Sequence, residues 1–237
     1  MGDMFQFKQF TVDQTGCAMK INTDGVLLGA LAEANESQNI LDIGTGTGVI
    51  ALMLAQRFPS AKIDAVEIDQ AAAQTAEMNF KNSPFTQRLT VFPLDFKDLF
   101  NQYPAKKYDL IVSNPPFHLN SLESPKAKKT LAKHVGEDFF ADLIKDVAAH
   151  LTGNGLCWLV LALQAAGLVK TLAMEKKLQL QKIITIHSFE NSEPHREILC
   201  FGFKEIITIN EKLVIYDEPK HYSEAYRYTL KNFFTIF

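Results

Sequence analysis

Cysteine is scarce: Cys17, Cys157 and Cys200 are the only three in a chain of 237 residues. They are far apart and odd in number. No Cys-Xaa-Xaa-Cys pair or Cys/His cluster exists, so neither a disulfide framework nor a metal site is expected. A chain of this size buries a core without such staples, and free thiols suit a reducing compartment. Long apolar runs are also lacking. The longest, Leu156 to Leu163, is far short of the roughly 20 residues a membrane-spanning helix needs. The N-terminal MGDMFQFKQF has no continuous apolar stretch of the secretory kind. Gln6 stands where a myristoylation signal opening at Gly2 would need Ser or Thr. A cytoplasmic protein without membrane association is expected. An excess of either charge is lacking too, with 24 basic and 27 acidic residues and a net charge of −3. That excludes a general nucleic-acid coat protein. It leaves room for an enzyme acting on RNA through a local basic patch.

What is present is an α/β rhythm. Residues 1–38 form an N-terminal extension. Phe5, Phe7 and Phe10 have the spacing of an edge strand or hairpin, and Thr23 or Asp24 could cap a helix running to about Ala34. From residue 39 short apolar strands alternate with helices. Strands are expected at 39–44, 62–69, 89–95, 108–114, 156–162, 182–189 and 196–205. Helices are expected at 49–58, 71–82, 138–151 and 165–178. The strands alternate little between apolar and polar, as in a parallel sheet covered on both faces. The fold expected for 39–237 is a doubly wound, mostly parallel, seven-stranded Rossmann-like sheet. Between its Asn114 turn and its next helix lies a polar loop, about 118–134. Lys126, Lys128, Lys129 and Lys133 there make a candidate RNA-binding patch, or equally a solvated helix face.

The first strand runs into Asp42-Ile43-Gly44-Thr45-Gly46-Thr47-Gly48, which then opens a helix. Glycines at such a turn let the backbone approach a ligand, and the helix N-terminus favours negative groups. NAD enzymes share this much. Two details point instead to S-adenosylmethionine. Val49 stands where the dinucleotide fingerprint wants a small residue, and Asp42 suits a cationic amino-acid moiety better than a pyrophosphate. Glu67 ends the second strand 19 residues after Gly48, where an acid can accept hydrogen bonds from both ribose hydroxyls. Asp95, after the third strand, could read the adenine amine of the cofactor. Capping of a turn or helix is the plainer role for Asp42 and Asp95.

The fourth strand ends in Asn114-Pro115-Pro116-Phe117. Two prolines fix the backbone and remove two N–H donors, and Pro115 pushes Asn114 toward an extended conformation. The result is a rigid turn rich in acceptors. The Asn114 side-chain oxygen and the Pro115 carbonyl can converge on one amino group. An adenine or amide nitrogen is a poor nucleophile, because its lone pair is delocalised. Two acceptors on its hydrogens favour pyramidal geometry and aim the lone pair at a methyl donor, so positioning rather than a strong base is required. Phe117 offers a face for a flipped base. Asn114, Pro115 and Phe117 are therefore the candidate catalytic residues. Gly44, Gly46, Gly48, Asp42, Glu67, Asp95 and Asn114 are candidates for holding the cofactor.

DIGTGTG, AVEID and NPPF in this order resemble the class I amino-methyltransferases. More specifically, KQFTVDQTGCAMKINTDGVLLGA resembles the N-terminal signature of the bacterial tRNA1(Val) adenine-N6 methyltransferase family, and YSEAYRYTLKNFF is similar to its C-terminus. The resemblance covers essentially the whole chain. It implies methylation of N6 of the adenine 3′ to the anticodon of one valine tRNA, with the anticodon loop as partner. No stable protein partner is expected, and the chain would be a monomer or weak dimer. It also implies that Lys20, Thr23 and Asp24 close over the cofactor. The chain departs from the family at Lys129 and Lys133, where arginines are usual, and lysine lacks the bidentate fork for phosphate. His118 also occurs in some guanine-N2 rRNA methyltransferases. Glutamine N5 methylation of a translation factor, guanine-N2 methylation of rRNA and a catalytically silent interaction module on the same fold remain the alternatives.

Overall fold

The computed structural model describes residues 3–15, 17, 19–34, 38–115 and 127–237, with backbone only for 127–135. The chain begins with a hairpin, β1 (Met4–Gln6) and β2 (Thr11–Asp13), followed by α1 (Thr23–Leu31). Then come β3 (Asn39–Ile43), α2 (Val49–Arg57), β4 (Lys62–Val66), α3 (Gln70–Lys81), β5 (Leu89–Phe92), α4 (Phe96–Gln102) and β6 (Tyr108–Ser113). The second half holds α5 (Ala127–His150), β7 (Leu151–Leu161), α6 (Leu163–Glu175), β8 (Gln179–His187), β9 (Pro194–Gly202) and β10 (Ile209–Val214). A small ribbon, β11 (Tyr216–Glu218) and β12 (His221–Tyr222), leads into α7 (Glu224–Leu230).

The main sheet has eight strands in the order β10-β8-β9-β7-β6-β3-β4-β5. Only β9 runs against its neighbours, antiparallel to both β7 and β8. The architecture is the expected Rossmann-like one, with one strand more than the seven expected. The added edge strand β10 pairs in parallel with β8. Its sequence, Ile209 to Val214, has four exposed residues before buried Leu213, so it lacks the apolar run that marks the central strands.

Apolar clusters cover both faces of the sheet. One contains Ile40, Leu52, Met53, Val112 and Trp158; the other contains Leu41, Ile111, Leu143, Ile144 and Leu159. Consecutive residues of β3 and β6 thus point to opposite covered faces, which explains the near-continuous hydrophobic sequences. The N-terminal segment belongs to the first cluster through Phe7, Phe10, Val12, Val26, Leu27 and Leu28. Helix α1 packs against α2 and α7 and is buried from Asp24 to Gly29.

Local signals place some boundaries differently. Asn22, rather than Thr23 or Asp24, caps α1: its Oδ1 accepts from the Gly25 amide at 2.8 Å. Helix α5 begins at Ala127 rather than near Asp138. The sequence pattern predicts no helix at α4, which is one of the shorter helices and is capped by Asp95. No helix among the described residues is long and apolar enough to cross a membrane.

Asn79 of α3 joins the hairpin to the glycine turn. Its Oδ1 accepts from the Asp13 amide at 2.8 Å, and its Nδ2 donates to the carbonyls of Asp13 and Thr47, both at 2.9 Å. The side chain is buried, so deleting it strands polar groups away from water. Asn79→Ala is expected to cost about 1–3 kcal/mol in urea unfolding. A loss below about 0.5 kcal/mol, the range of ordinary surface changes, would show these bonds to be dispensable.

Candidate active site

Strands β3, β4 and β5 step outward in chain order, and β6 then returns to the other side of β3. Ligands bind at such reversals, beyond the carboxyl ends of the strands. The register makes the neighbourhood specific. Ile43 pairs with Val66 on one side and Ser113 on the other. The residues that follow, Gly44, Glu67 and Asn114, are therefore delivered to one edge. The Ser113 hydroxyl donates to the Ile43 carbonyl at 2.8 Å and ties the two central strand ends together.

The glycine turn is left-handed at all three glycines, with φ of 72° at Gly44, 56° at Gly46 and 83° at Gly48. Side chains rarely accept such values. A Cβ on Gly44 or Gly46 would meet nothing within 4 Å, so both face open space. Gly48 has another reason to lack a side chain. A Cβ there would come within 2.5 Å of Phe80 Cε1, so this glycine packs the turn onto α3. The Gly46 amide donates to Glu67 Oε2 at 2.9 Å, and the Asp69 amide to Glu67 Oε1, also at 2.9 Å. Glu67 is thereby held with both carboxylate oxygens oriented by backbone.

These residues line a cavity of about 420 Å³ that includes Gly44, Gly46, Glu67, Asp95, Asn114 and Pro115. Its apolar wall holds Ile68, Leu94, Phe96 and Phe139, which sequence reading did not single out. Ile68 carried the strongest signal: a large apolar residue directly after Glu67, which the fold leaves 65% exposed. Phe139 meets Phe96 edge-on at 5.8 Å and comes from a helix distant in sequence, so nothing local marked it. Asp95 lines the cavity and also caps α4, its Oδ1 accepting from the Lys97 amide at 2.8 Å.

Asp42 lies fully buried beneath the turn. Its Oδ2 accepts from the Thr45 hydroxyl at 2.6 Å, while Oδ1 has no hydrogen-bond partner among the described residues. Burial pushes its carboxyl up to about 7, against the pull of the Thr45 hydroxyl and the nearby Ala51 amide dipole; Glu67 adds a smaller upward push. The Ala51 amide, at the start of α2, contributes its dipole without closing a bond to Oδ1.

Asn114 is half-buried, and its Oδ1 is a buried acceptor without a partner among the described residues. Its other side-chain atom, Nδ2, faces α1. A Cβ on Gly25 would stand 3.5 Å from Asn114 Nδ2 and 3.5 Å from Asn22 Oδ1. The N-terminal block thus abuts Asn114. It does not supply Lys20, Thr23 or Asp24 to the cavity lining, where the resemblance implied they would close over a cofactor. Lys20 pairs with Asp3 at 2.5 Å on the surface, and Asp24 Oδ2 accepts from Arg196 Nε at 2.8 Å. Thr23 faces a second cleft. A buried carboxylate needs a cationic partner, and Asp24 has one in Arg196 of β9. Phe117 and His118, and the side chains of Lys126, Lys128, Lys129 and Lys133, lie outside the described residues.

An open parallel sheet with a left-handed glycine turn, an oriented acid on the next strand and an Asn-Pro turn across the switch point defines a class I methyltransferase. The methyltransferase small domain model matches residues 19–186. The chain is 49% identical to the tRNA1(Val) (adenine(37)-N6)-methyltransferase of Pedobacter heparinus over 237 residues, 100% of both chains. It is 42% identical to the protein of that name from Bacteroides thetaiotaomicron, over 97% of this chain and 96% of the other. The chain belongs to the tRNA1(Val) (adenine(37)-N6)-methyltransferase family. Solved structures share the fold at low identity. A predicted O-methyltransferase from Agrobacterium tumefaciens has a TM-score of 0.69 at 17% identity, covering 89% of this chain and 96% of the other. TrmN from Thermus thermophilus has a TM-score of 0.58 at 20% identity, covering 75% of this chain and 47% of the other.

The elevated Asp42 carboxyl fixes a sign. An unfolded aspartate ionises near 3.8 and the folded one near 7, so in that interval the folded state holds the extra proton. Stability contributed by Asp42 then falls as pH rises from about 4 to about 7, by up to about 4 kcal/mol, and is level beyond. Asp42→Asn removes the titration. The wild-type minus variant difference in unfolding free energy should therefore grow more negative across this interval. A difference independent of pH in matched denaturant titrations would show that Asp42 ionises normally.

Proposed function

We propose that this protein transfers a methyl group from S-adenosylmethionine to N6 of the adenine 3′ to the anticodon, position 37, of tRNA1(Val). The observation that carries the reading is the buried Asn114 Oδ1, without a partner among the described residues, at the switch point beside the glycine turn. Membership of the family supplies the target base and the RNA.

The residues present fit S-adenosylmethionine, which supplies an electrophilic methyl on a sulfonium. The open faces of Gly44 and Gly46 give backbone access. Glu67, already oriented by two amides, has acceptor lone pairs for ribose hydroxyls. Asp42, buried directly beneath the glycine turn and outside the cavity lining, would favour a cationic amino-acid end by charge through the turn rather than by direct contact. Asp95, on the cavity wall, has lone pairs to accept from an adenine amine, and Ile68, Leu94 and Phe139 offer apolar faces to a ring.

At the other end, the Asn114 oxygen and the Pro115 carbonyl accept the two hydrogens of the target amine. Holding both hydrogens turns the nitrogen lone pair away from its ring and toward the donor. A carboxamide is not basic enough to keep a proton. The proton released when the new N–C bond forms goes on to solvent, and no covalent enzyme intermediate is involved. Phe117 completes this reading as the stacking face for the flipped base.

Asn114→Ala should lower kcat by roughly 10²-fold or more, the scale of a lost oriented contact in the transition state, with little change in cofactor affinity by calorimetry. Near-normal turnover would remove Asn114 from the amine clamp. The activity itself is tested with unmodified tRNA transcripts, isotopically labelled donor and nucleoside analysis. Labelled N6-methyladenosine is expected. Labelled guanosine or labelled protein instead would assign the site to the guanine-N2 or the glutamine-N5 reaction.

A further inference from the structure

The methyl-transfer site leaves the aromatic C-terminus unused. After Glu218 the chain carries Lys220, Arg227 and Lys231 against the single acid Glu224, in a protein whose net charge is −3. Tyr216, Tyr222 and Tyr226 form a continuous stack, with ring centroids 5.1 and 5.0 Å apart and planes within 22° and 15°. Beside the stack opens a cleft of about 470 Å³ between this tail, the β1–β2 hairpin and the start of α1. Phe5, Tyr222, Tyr226 and Asn22 wall it, and Met4 and Ile236, 64% and 69% exposed, stand at its rim.

We propose that this cleft receives an unpaired base of the substrate RNA, a near neighbour of the target adenine in the anticodon loop. The proposal rests on the tRNA reading above.

Three observations support it. The first is placement. Helix α7 packs on α1 and β10, and the Ile215 and Tyr216 amides donate to the carbonyls of His187 and Ser188 at 2.9 and 3.0 Å, at the carboxyl end of β8. That is the edge of the sheet from which Asn114 emerges. Asn22 walls the cleft, and a Cβ on Gly25 would be 3.5 Å from both Asn22 Oδ1 and Asn114 Nδ2. One residue therefore separates the cleft wall from the amine acceptor. The second is surface chemistry. Tyr222 has Tyr216 and Tyr226 on its two faces, so the half-buried rings of Phe5 and Phe234 on the cleft wall are the aromatic faces left for a base, each stacked base being worth about 1–3 kcal/mol. The third is charge. Arg227, Lys231 and Lys8 are exposed, and Lys231 Nζ stands 3.5 Å over the ring of Tyr228, itself 69% exposed. Cations interleaved with aromatics fit a strand of phosphates and bases. They fit a second copy of this chain poorly, because a two-fold contact would set the same cations against themselves.

The test uses the full chain, the tRNA transcript and the double variant Met4→Glu/Ile236→Glu, whose side chains are exposed at the rim. The KM for RNA is expected to rise about tenfold, the loss of one stacked base. The KM for S-adenosylmethionine and kcat at saturating RNA should hold. In the wild-type protein, ultraviolet crosslinking to transcript carrying 5-bromouridine should label the peptide containing Phe5 or Phe234. An unchanged KM for RNA in a folded variant, or crosslinks confined to other peptides, would overturn the proposal. So would concentration-dependent dimerisation abolished by the variant while the KM for RNA stays put, which would assign the cleft to a second copy. If the wild-type protein methylates no tRNA, the tRNA reading falls and this inference with it. If it methylates normally and only the rim variant fails to respond, this inference falls alone.

Discussion

Strand β6 pairs with β3 from Ile40–Leu110 to Ile43–Ser113, and the site depends on that register. It sets the first residue after β3, Gly44, beside the first residue after β6, Asn114. Strand β4, in register on the far side, brings Glu67 to the same level. A shift of one residue would turn every side chain of β6 to the opposite face. Leu110 and Val112 would then exchange clusters with Ile111, and Asn114 would leave the edge. Burial on both faces is thus what fixes the position of a polar side chain that contributes little to the core itself.

The N-terminal segment and the C-terminal tail have their own mutual dependence. Phe7 bridges to Phe234, the Lys8 amide donates to the Phe233 carbonyl at 2.8 Å, and Lys8 Nζ donates to the Lys231 and Phe237 carbonyls. Neither segment has enough apolar surface to stand alone as a domain. Together they cover α1, which is buried along most of its length and has no polar face to give to water. The Asp24–Arg196 pair then fastens the start of α1 to β9. Asp24, which resemblance to the family places near the cofactor, is held here by this pair at the start of α1.

Much of this was legible in sequence because its causes are local. Glycines at 44, 46 and 48 mark backbone that other residues rarely adopt, and the apolar runs of β3, β4 and β6 mark a covered parallel sheet. Asn114 was readable because two prolines follow it. What was not legible depended on contacts far apart in the chain. Phe139 reaches the cavity from α5, Arg196 meets Asp24 across 172 positions, and β10 is a strand only because β8 offers it an edge. The helix cap shows the finer limit. Asn22, Thr23 and Asp24 are all good capping residues, and only the entry angle of the chain chooses Asn22.

Two of the buried acceptors that have no partner among the described residues, Asp42 Oδ1 and Asn114 Oδ1, flank this same junction of β3 and β6. Each unmet buried acceptor costs about 1–3 kcal/mol, and Asp42 adds the cost of a carboxyl held away from water. Isolated folding stability gives no reason to keep both. Under the proposed reaction, a ligand that carries positive charge to one and N–H donors to the other gives such a reason. Donors arriving at the transition state meet groups already desolvated and already aimed, so little reorganisation remains to be done at the moment of reaction. On the proposed reading, binding energy and selectivity for an amine over a carbonyl-edged base share one physical source: acceptors that the fold fixes and leaves without partners among the described residues.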